Sequence, residues 1–179
     1  MTELELIKAC VNNDAIAQKS LFETYSPKFM VVCLRYAQYQ DEASDMLQDG
    51  FVKIFQKIDA YQGAGSFAGW MHKIVVNTCL DTLRKNKKFR FSVELDQVEN
   101  EAFSNESIYS SIRTKELLEL IQRLPDGYRV VFNLFAIEGY SHKEIAEKLN
   151  VSESTSKSQY RKARFWLQKK MIELDKIIE

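Results

Sequence analysis

Glycine and proline are scarce in this chain, at 6 and 2 of 179 residues. Both residue types bend or end helices, so their scarcity favours long, uninterrupted helices. The sequence also lacks strand-like alternation, an internal repeat, a signal-peptide pattern and an apolar run long enough to span a membrane. We therefore expect an all-α protein that is cytoplasmic and has no direct membrane insertion.

Cysteine is infrequent too, with three residues, Cys10, Cys33 and Cys79. Their spacing fits neither a metal site nor a redox motif. Each lies in an apolar, helix-like context, which favours buried thiols that stay reduced.

Recognisable catalytic motifs are missing. There is no phosphate-binding loop, no dinucleotide fingerprint and no nucleophile elbow, and neither His72 nor His142 has a partner at metal-binding spacing. An alternative is a divalent-cation site, and hence a metal-dependent hydrolase, built on four carboxylates, Asp41, Glu42, Asp45 and Asp49. A solvated or protein-docking acidic face explains these carboxylates better, so we expect no catalytic activity, no metal and no cofactor.

The chain has no net charge, because 25 basic residues balance 25 acidic ones. The charges are nonetheless segregated: residues 84–90 are basic, 94–106 are acidic, and 157–170 contain six basic residues and no acidic one. Such runs more often form solvated surface than binding sites, so charge alone does not identify a ligand.

Residues 138–170 have the pattern of a helix-turn-helix. Ser141 and Glu144 match the capping box that begins a helix. Residues 150–152 form a turn after an apolar stripe, and Ser152 can cap the next helix. A basic second helix after such a turn is typical of proteins that place this helix in the major groove of DNA.

Helical periodicity separates two faces of this second helix. The face toward the core would carry Ser156, Tyr160, Ala163 and Leu167. The opposite face offers three residues near the helix start as candidates for reading base edges, Lys157, Ser158 and Arg161. The candidates for phosphate contacts are Lys162, Arg164 and Lys169.

The first half of the chain has the pattern of a helical bundle. Its clearest amphipathic helix spans residues 45–59, although Gly50 inside it costs about 1 kcal/mol relative to alanine. Residues 61–65 interrupt the periodicity, and Ser66 can cap a helix whose polar face carries Lys73, Asn77, Asp81 and Arg84. This loop could let an unstacked base approach the backbone, but a capped turn between two core helices is the simpler alternative.

These patterns predict two small helical domains, residues 1–90 and 113–179. A linker at residues 91–112 would join them, and the second domain would contain the helix-turn-helix.

Three motifs in order resemble the extracytoplasmic-function (ECF) sigma factors, a two-domain group of bacterial sigma factors. They are residues 41–55, residues 61–78 continuing to Leu83-Arg84-Lys85, and residues 124–164. The resemblance covers nearly the whole chain and is far more specific than a lone helix-turn-helix. It implies a protein that binds core RNA polymerase and directs promoter-specific transcription initiation, for a stress- or signal-responsive regulon.

The resemblance also implies roles for individual residues. The surface that docks on the clamp helices of the largest polymerase subunit would comprise Asp45, Gln48, Asp49, Val52 and Gln56. The minus-ten promoter element would be captured and melted by Tyr61, Gln62, Gly63, Ala64, Lys73, Asn77, Arg84 and Lys85. The minus-thirty-five element would be read by Lys157, Ser158, Arg161, Lys162 and Arg164. Family members are commonly held inactive by an anti-sigma factor, often membrane-anchored, which is a further expected partner.

Three positions depart from the family pattern. Residue 156, usually apolar and core-facing, is serine, which predicts looser packing of the recognition helix. Residue 159, often basic, is glutamine, which would leave one phosphate contact neutral. The loop at 61–65 lacks the charged residue often found there.

Two alternatives stand beside the hydrolase. One is a helix-turn-helix transcription regulator that acts without polymerase, which leaves the motifs of the first half unexplained. The other is a helical interaction protein whose basic stretches are only surface.

Overall fold

The computed structural model describes residues 2–85 and 114–178, with side chains in the second stretch from Glu116 to Glu173. The chain separates into two compact units, Met1–Lys87 and Lys88–Glu179. Every regular element in the described stretches is helical, so the predicted all-α class is confirmed. None of these helices is long and apolar enough to cross a membrane. The predicted linker at 91–112, with the acidic residues 94–106, lies outside the described residues, and the domain boundaries stay predictions.

The first unit has four α-helices and one short 3-10 turn between residues 2 and 85. They are α1 (Glu3–Val11), α2 (Ala15–Tyr36), α3 (Gln40–Lys57), the turn Ile58–Ala60 and α4 (Phe67–Lys85). Side chains cap the first two helices, because Thr2 forms a capping box with Glu5 and the Asp14 carboxylate accepts two backbone N–H bonds. These bonds satisfy amides that a helix start leaves unpaired.

Three aromatic rings occupy the core between α2, α3 and α4. Phe29, Phe51 and Phe67 are each at most 2% exposed, and burial of such a side chain contributes about 1.5–3 kcal/mol. The apolar stripe predicted for α3 is confirmed, since Leu47 and Ile54 are buried beside Phe51.

The periodicity of α1 is a poorer guide to burial. Ile7 is buried, whereas Leu4 and Val11, at the same helical spacing, are 63% and 40% exposed. These two side chains line an open groove of about 530 Å³ between α1 and the residues that follow α3.

The three thiols are free and buried, as predicted. Cys33 of α2 and Cys79 of α4 have their sulfur atoms 3.9 Å apart, a proximity that their sequence separation conceals. The contact with Cys33 and burial raise the pKa of the Cys79 thiol, which keeps it protonated.

The second unit contains four α-helices and a π-helical turn between residues 114 and 178. They are α5 (Thr114–Gln122), α6 (Asp126–Phe132), the turn Asn133–Ile137, α7 (His142–Leu149) and α8 (Glu153–Ile178). Pro125 immediately precedes α6, and its φ of -51° and ψ of 145° are not helical. Helix α6 begins at Asp126, because a proline just before the first turn withholds no N–H that the helix needs.

A buried arginine joins α5 to α6. Arg129 is 1% exposed, and its guanidinium donates to the carbonyl oxygens of Gln122 and Leu124 at 2.9 and 3.1 Å and pairs with Asp126. These carbonyls belong to the end of α5 and the residues after it, where the helix supplies no backbone N–H donor for them. The apolar core beside this joint contains Leu120, Leu124, Ala163, Leu167 and Met171.

Candidate nucleic-acid interface

Helix α7, the turn and the start of α8 form the predicted helix-turn-helix. The Ser141 and Glu144 side chains close the capping box, with Ser141 N–H donating to Glu144 Oε2 at 2.8 Å. Asn150 ends α7 in the left-handed region at φ 53°, a conformation that asparagine tolerates. The Ser152 hydroxyl accepts the backbone N–H of Thr155 at 3.0 Å, so the predicted cap of α8 is confirmed.

The outward face of α8 presents the base-reading candidates to solvent. Lys157, Ser158 and Arg161 are all exposed. Two of the phosphate candidates differ, because Lys162 and Arg164 are half-buried and lie over the rings of Tyr128 and Tyr160, at 5.9 and 6.0 Å. Cation–π contact of this kind restrains a long basic side chain.

Two positions that depart from the family pattern, 156 and 159, lie on the inward face of α8. Ser156 is fully buried, and its hydroxyl is hydrogen-bonded to Nδ1 of His142 at 2.9 Å, so the polar atom is satisfied within a packed interface. Gln159 is 6% exposed and faces inward. The interpretation of residue 159 as a neutralised phosphate contact was therefore wrong.

His142 links the two helices. Its ring stacks on Phe135, with centroids 4.2 Å apart and planes 11° from parallel. Burial and then the positive charge of Lys157 lower the pKa of His142, while Glu153 acts in the opposite direction. The imidazole is thus held toward its neutral form between α7 and α8.

An acidic residue that the sequence analysis did not single out, Glu153, lies next to the base-reading candidates. Glu153 Oε1 lies 2.7 Å from Lys157 Nζ, and the two side chains are 49% and 61% exposed. The hydrogen bond and charge of Lys157 lower the pKa of Glu153, so this group is ionised at neutral pH. The spacing of four residues in a helix is a signal that could have found the pair.

The polar face of α4 is exposed at four of the predicted minus-ten residues, which are Lys73, Asn77, Arg84 and Lys85. Asp81 lies among them and pairs with both Arg84 and Lys53 of α3, at 3.0 Å each. The structure therefore orients Arg84 through Asp81, a relationship that the sequence did not indicate.

The loop before α4 is closed by its own side chains. The Tyr61 hydroxyl donates to the carbonyl of Gly65 at 2.8 Å, while its ring packs on Phe67 and Trp70 with centroids 5.0 and 5.5 Å away. Gly65 has φ +83°, a region that favours glycine. Between these two ends the remaining predicted loop residues are exposed, namely Gln62, Gly63 and Ala64.

The start of α4 also follows the prediction. The Ser66 hydroxyl accepts the backbone N–H of Gly69 at 3.1 Å, and a β-carbon at position 69 would approach that oxygen to 2.9 Å. The tight cap therefore fixes where the loop ends.

The solvent face of α3 collects the predicted docking residues. All five are exposed, at a spacing that places them on one side of the helix: Asp45, Gln48, Asp49, Val52 and Gln56. Val52 is a 52% exposed apolar side chain within a polar face. In the described residues the acidic side chains form no group of three or more that could hold a metal ion.

Both units match regions of bacterial sigma factors. Residues 21–89 match the family Sigma-70 region 2, and residues 114–167 match Sigma-70, region 4. The ECF RNA polymerase sigma factor SigM of Mycobacterium tuberculosis is 31% identical over 169 residues, which cover 91% of this chain and 81% of SigM. The chain belongs to the ECF RNA polymerase sigma factors. It binds core RNA polymerase and promoter DNA and directs transcription initiation.

A second relative agrees with this membership, and a solved structure shares the fold. The ECF sigma factor SigE of Mycolicibacterium smegmatis is 30% identical over 148 residues, and the chain spans 57% of SigE. The sigma factor RpoE of Bartonella quintana, solved in complex with the anti-sigma factor NepR, shares the fold at a TM-score of 0.51 and 21% identity, over 88% of this chain and 97% of RpoE. Because the sequence similarity extends over both units, a regulator that uses the helix-turn-helix alone is not favoured.

Proposed function

We propose that this sigma factor docks on core polymerase through α3 and reads the promoter through two other surfaces. The division of roles follows the predicted domains, with docking and the minus-ten element in 1–90 and the minus-thirty-five element in 113–179. The exposure of Lys157, Ser158 and Arg161 on one face of the second helix of a helix-turn-helix carries the proposal. Residues near the start of such a helix reach base edges.

The minus-thirty-five surface combines two kinds of contact. Lys157 and Arg161 can donate to guanine, and the Ser158 hydroxyl can serve as donor or acceptor for any base. Lys162 and Arg164 then meet phosphates, supported by the aromatic rings beneath them.

The minus-ten surface combines a loop with a helix. The exposed residues 62–64 lie between Tyr61 and Gly65 and can receive an unstacked base against the backbone. On α4, the Asn77 amide is suited to pair with a base edge, while Lys73, Arg84 and Lys85 supply positive charge for the backbone.

The docking surface is acidic with one apolar centre. Asp45 and Asp49 would meet basic residues of the polymerase clamp helices, with Gln48 and Gln56 at the sides. Val52 would become buried on binding, which favours association through the apolar area removed from water.

Other properties of the chain belong to the same proposal. It has no catalytic activity and no cofactor, and it works in the cytoplasm. An anti-sigma factor, which can be membrane-anchored, holds it inactive until a stress or signal releases it, as the NepR complex of RpoE suggests by analogy.

Run-off transcription tests the proposal directly. Core RNA polymerase of the source organism is given a pool of genomic fragments with and without this protein. New discrete start sites that require the protein are expected, and aligned upstream DNA would then reveal two conserved elements. Absence of such transcripts, together with no complex on a sizing column, would refute it.

Two variants separate the surfaces. Asp45→Lys with Asp49→Lys should weaken core binding about tenfold or more, because like charges would face each other at the interface. Glu23→Lys on exposed α2 is the matched control and should bind normally. Lys157→Ala with Arg161→Ala should instead preserve core binding and relax the upstream element. Intact promoter choice in that variant would reject the assigned face of α8.

A further inference from the structure

The first turn of α8 carries one acidic side chain, Glu153, beside the residues proposed to read bases. Glu153 and Lys157 form an exposed ion pair with oxygen and nitrogen 2.7 Å apart. Arg161 continues the same helical stripe, so the pair stands at the leading end of the face that carries the other base-reading candidates.

Glu153 contributes modestly to stability, because the helix dipole favours an acidic side chain in the first turn by about 0.3–1 kcal/mol. Exposed pairs at this spacing contribute only a few tenths of a kcal/mol. Against DNA, the carboxylate is repelled by phosphates and offsets one basic residue, which weakens binding to any sequence. If the carboxylate contacts a base directly, the loss of affinity is offset only at the matching base pair, so that the protein discriminates between DNA sequences.

The base edges in the major groove restrict which contact a carboxylate can make. An ionised carboxylate only accepts hydrogen bonds. Cytosine offers the N4 donor, and its guanine partner offers the O6 and N7 acceptors beside it; adenine's N6 donor lies next to its own N7 acceptor, which repels a carboxylate. A carboxylate and an ammonium held side by side therefore match the donor and acceptor of one C·G pair.

We propose that Glu153 and Lys157 act together as the reader of a single C·G pair in the minus-thirty-five element. Glu153 accepts from cytosine N4 and Lys157 donates to O6 or N7 of the paired guanine. This inference rests on the proposed role of α8 in reading that element.

The test is transcription by the holoenzyme from promoters in which each upstream position carries all four base pairs. Wild type should prefer C·G at one position by about 5- to 150-fold, the range for one good base contact. Glu153→Ala should abolish that preference and leave other positions intact. Glu153→Gln should shift it toward A·T, since an amide pairs with adenine. Glu173→Gln is the matched control, because it breaks an ion pair of equal length, 2.7 Å, with Lys170 further along α8.

The partner residue supplies a second arm. Lys157→Ala should reduce preference at the same position, and the double variant should add little further loss there. If Glu153→Ala and Lys157→Ala changed the base preference at different promoter positions, the two residues would not read one base pair and the proposal would be overturned. A uniform gain in transcription by Glu153→Ala, with every base preference retained, would show that the charge acts non-specifically and would also overturn it. Wild-type holoenzyme without any specific start site would instead refute the proposed function itself.

Discussion

Gly50 of α3 lies against Val75 of α4, so that a β-carbon at position 50 would come within 3.3 Å of Val75 Cγ2. The Cα of Val75 would be 3.8 Å away, an ordinary contact. The helical glycine thus lets α3, with the proposed docking surface, approach α4, with the proposed minus-ten surface. Close packing explains a glycine that is unfavourable for the helix itself.

This contact predicts that the effect of Gly50→Ala depends on residue 75. With Val75 present, the gain of about 1 kcal/mol in helix propensity is offset by crowding of the valine methyl. In a Val75→Ala background the crowding disappears, and Gly50→Ala should stabilise the unit by about 1 kcal/mol. Urea unfolding measures the effect of Gly50→Ala in both backgrounds. The signal is Trp70 fluorescence, and Trp166→Phe removes the other tryptophan. Equal effects in the two backgrounds would contradict the prediction.

A second prediction concerns the hydrogen bond that closes the loop before α4. Tyr61→Phe keeps the ring on Phe67 but removes the hydroxyl that bonds to Gly65, at a cost of about 1 kcal/mol. Promoter opening, measured by permanganate reactivity of the minus-ten element, should fall while core binding stays unchanged.

Gly65→Ala should act in the same direction. A side chain at φ +83° costs about 1–2 kcal/mol, although a β-carbon there would have open space around it. Ala64→Gly is the control, because it alters the flexibility of the loop but keeps the hydrogen bond from Tyr61 to Gly65. Normal opening by both Tyr61→Phe and Gly65→Ala would exclude the closed loop as the competent form.

The helix caps show why part of this structure follows from sequence. The capping box of Ser141 and Glu144 and the caps by Ser152 and Ser66 depend on residues within four positions of one another. Hydrogen bonds over such short separations can be predicted from the spacing of residues in the sequence. The same holds for the exposure of the proposed docking residues on α3 and of Lys157, Ser158 and Arg161 on α8, which follows from periodicity.

Contacts between helices could not be predicted in the same way. The sulfur contact of Cys33 with Cys79 and the ion pair of Lys53 with Asp81 join residues that only the packed bundle brings together. The orientation of Gln159 was also misread, because a basic residue in relatives suggested an outward position while the packing of α8 buries the glutamine. Tertiary packing decides such cases.

A third prediction tests the buried arginine. Arg129→Met keeps the apolar stem but leaves the carbonyls of Gln122 and Leu124 and the Asp126 carboxylate without their donor. The second unit should lose roughly 3–5 kcal/mol. Urea unfolding followed by Trp166 fluorescence, with Trp70→Phe, measures the loss. Arg123→Met, at an exposed position, is the control, and similar losses for both variants would contradict a special role for Arg129.

The fourth prediction concerns pH and the His142 side chain between α7 and α8. The folded protein holds the pKa of His142 below its ordinary value of 6.5, mainly through burial and then through Lys157. The unfolded chain therefore binds the proton more readily, and the free energy of unfolding must fall as pH drops. The loss begins near pH 6.5 and is complete below the depressed folded pKa, whereas above neutrality the contribution is fully present.

His142→Gln isolates this contribution, because glutamine stays neutral while it can still bond to Ser156. The difference in unfolding free energy between wild type and this variant should decrease from pH 7.5 to pH 5. The charges nearby make the prediction sharper: Glu153 raises the pKa of His142 and Lys157 lowers it, so Glu153→Gln should enlarge the pH dependence and Lys157→Met should reduce it. NMR titration of the imidazole in the full chain checks both shifts. An unchanged pKa in both variants would mean that burial alone sets the protonation of His142, with no charge coupling to the base-reading pair.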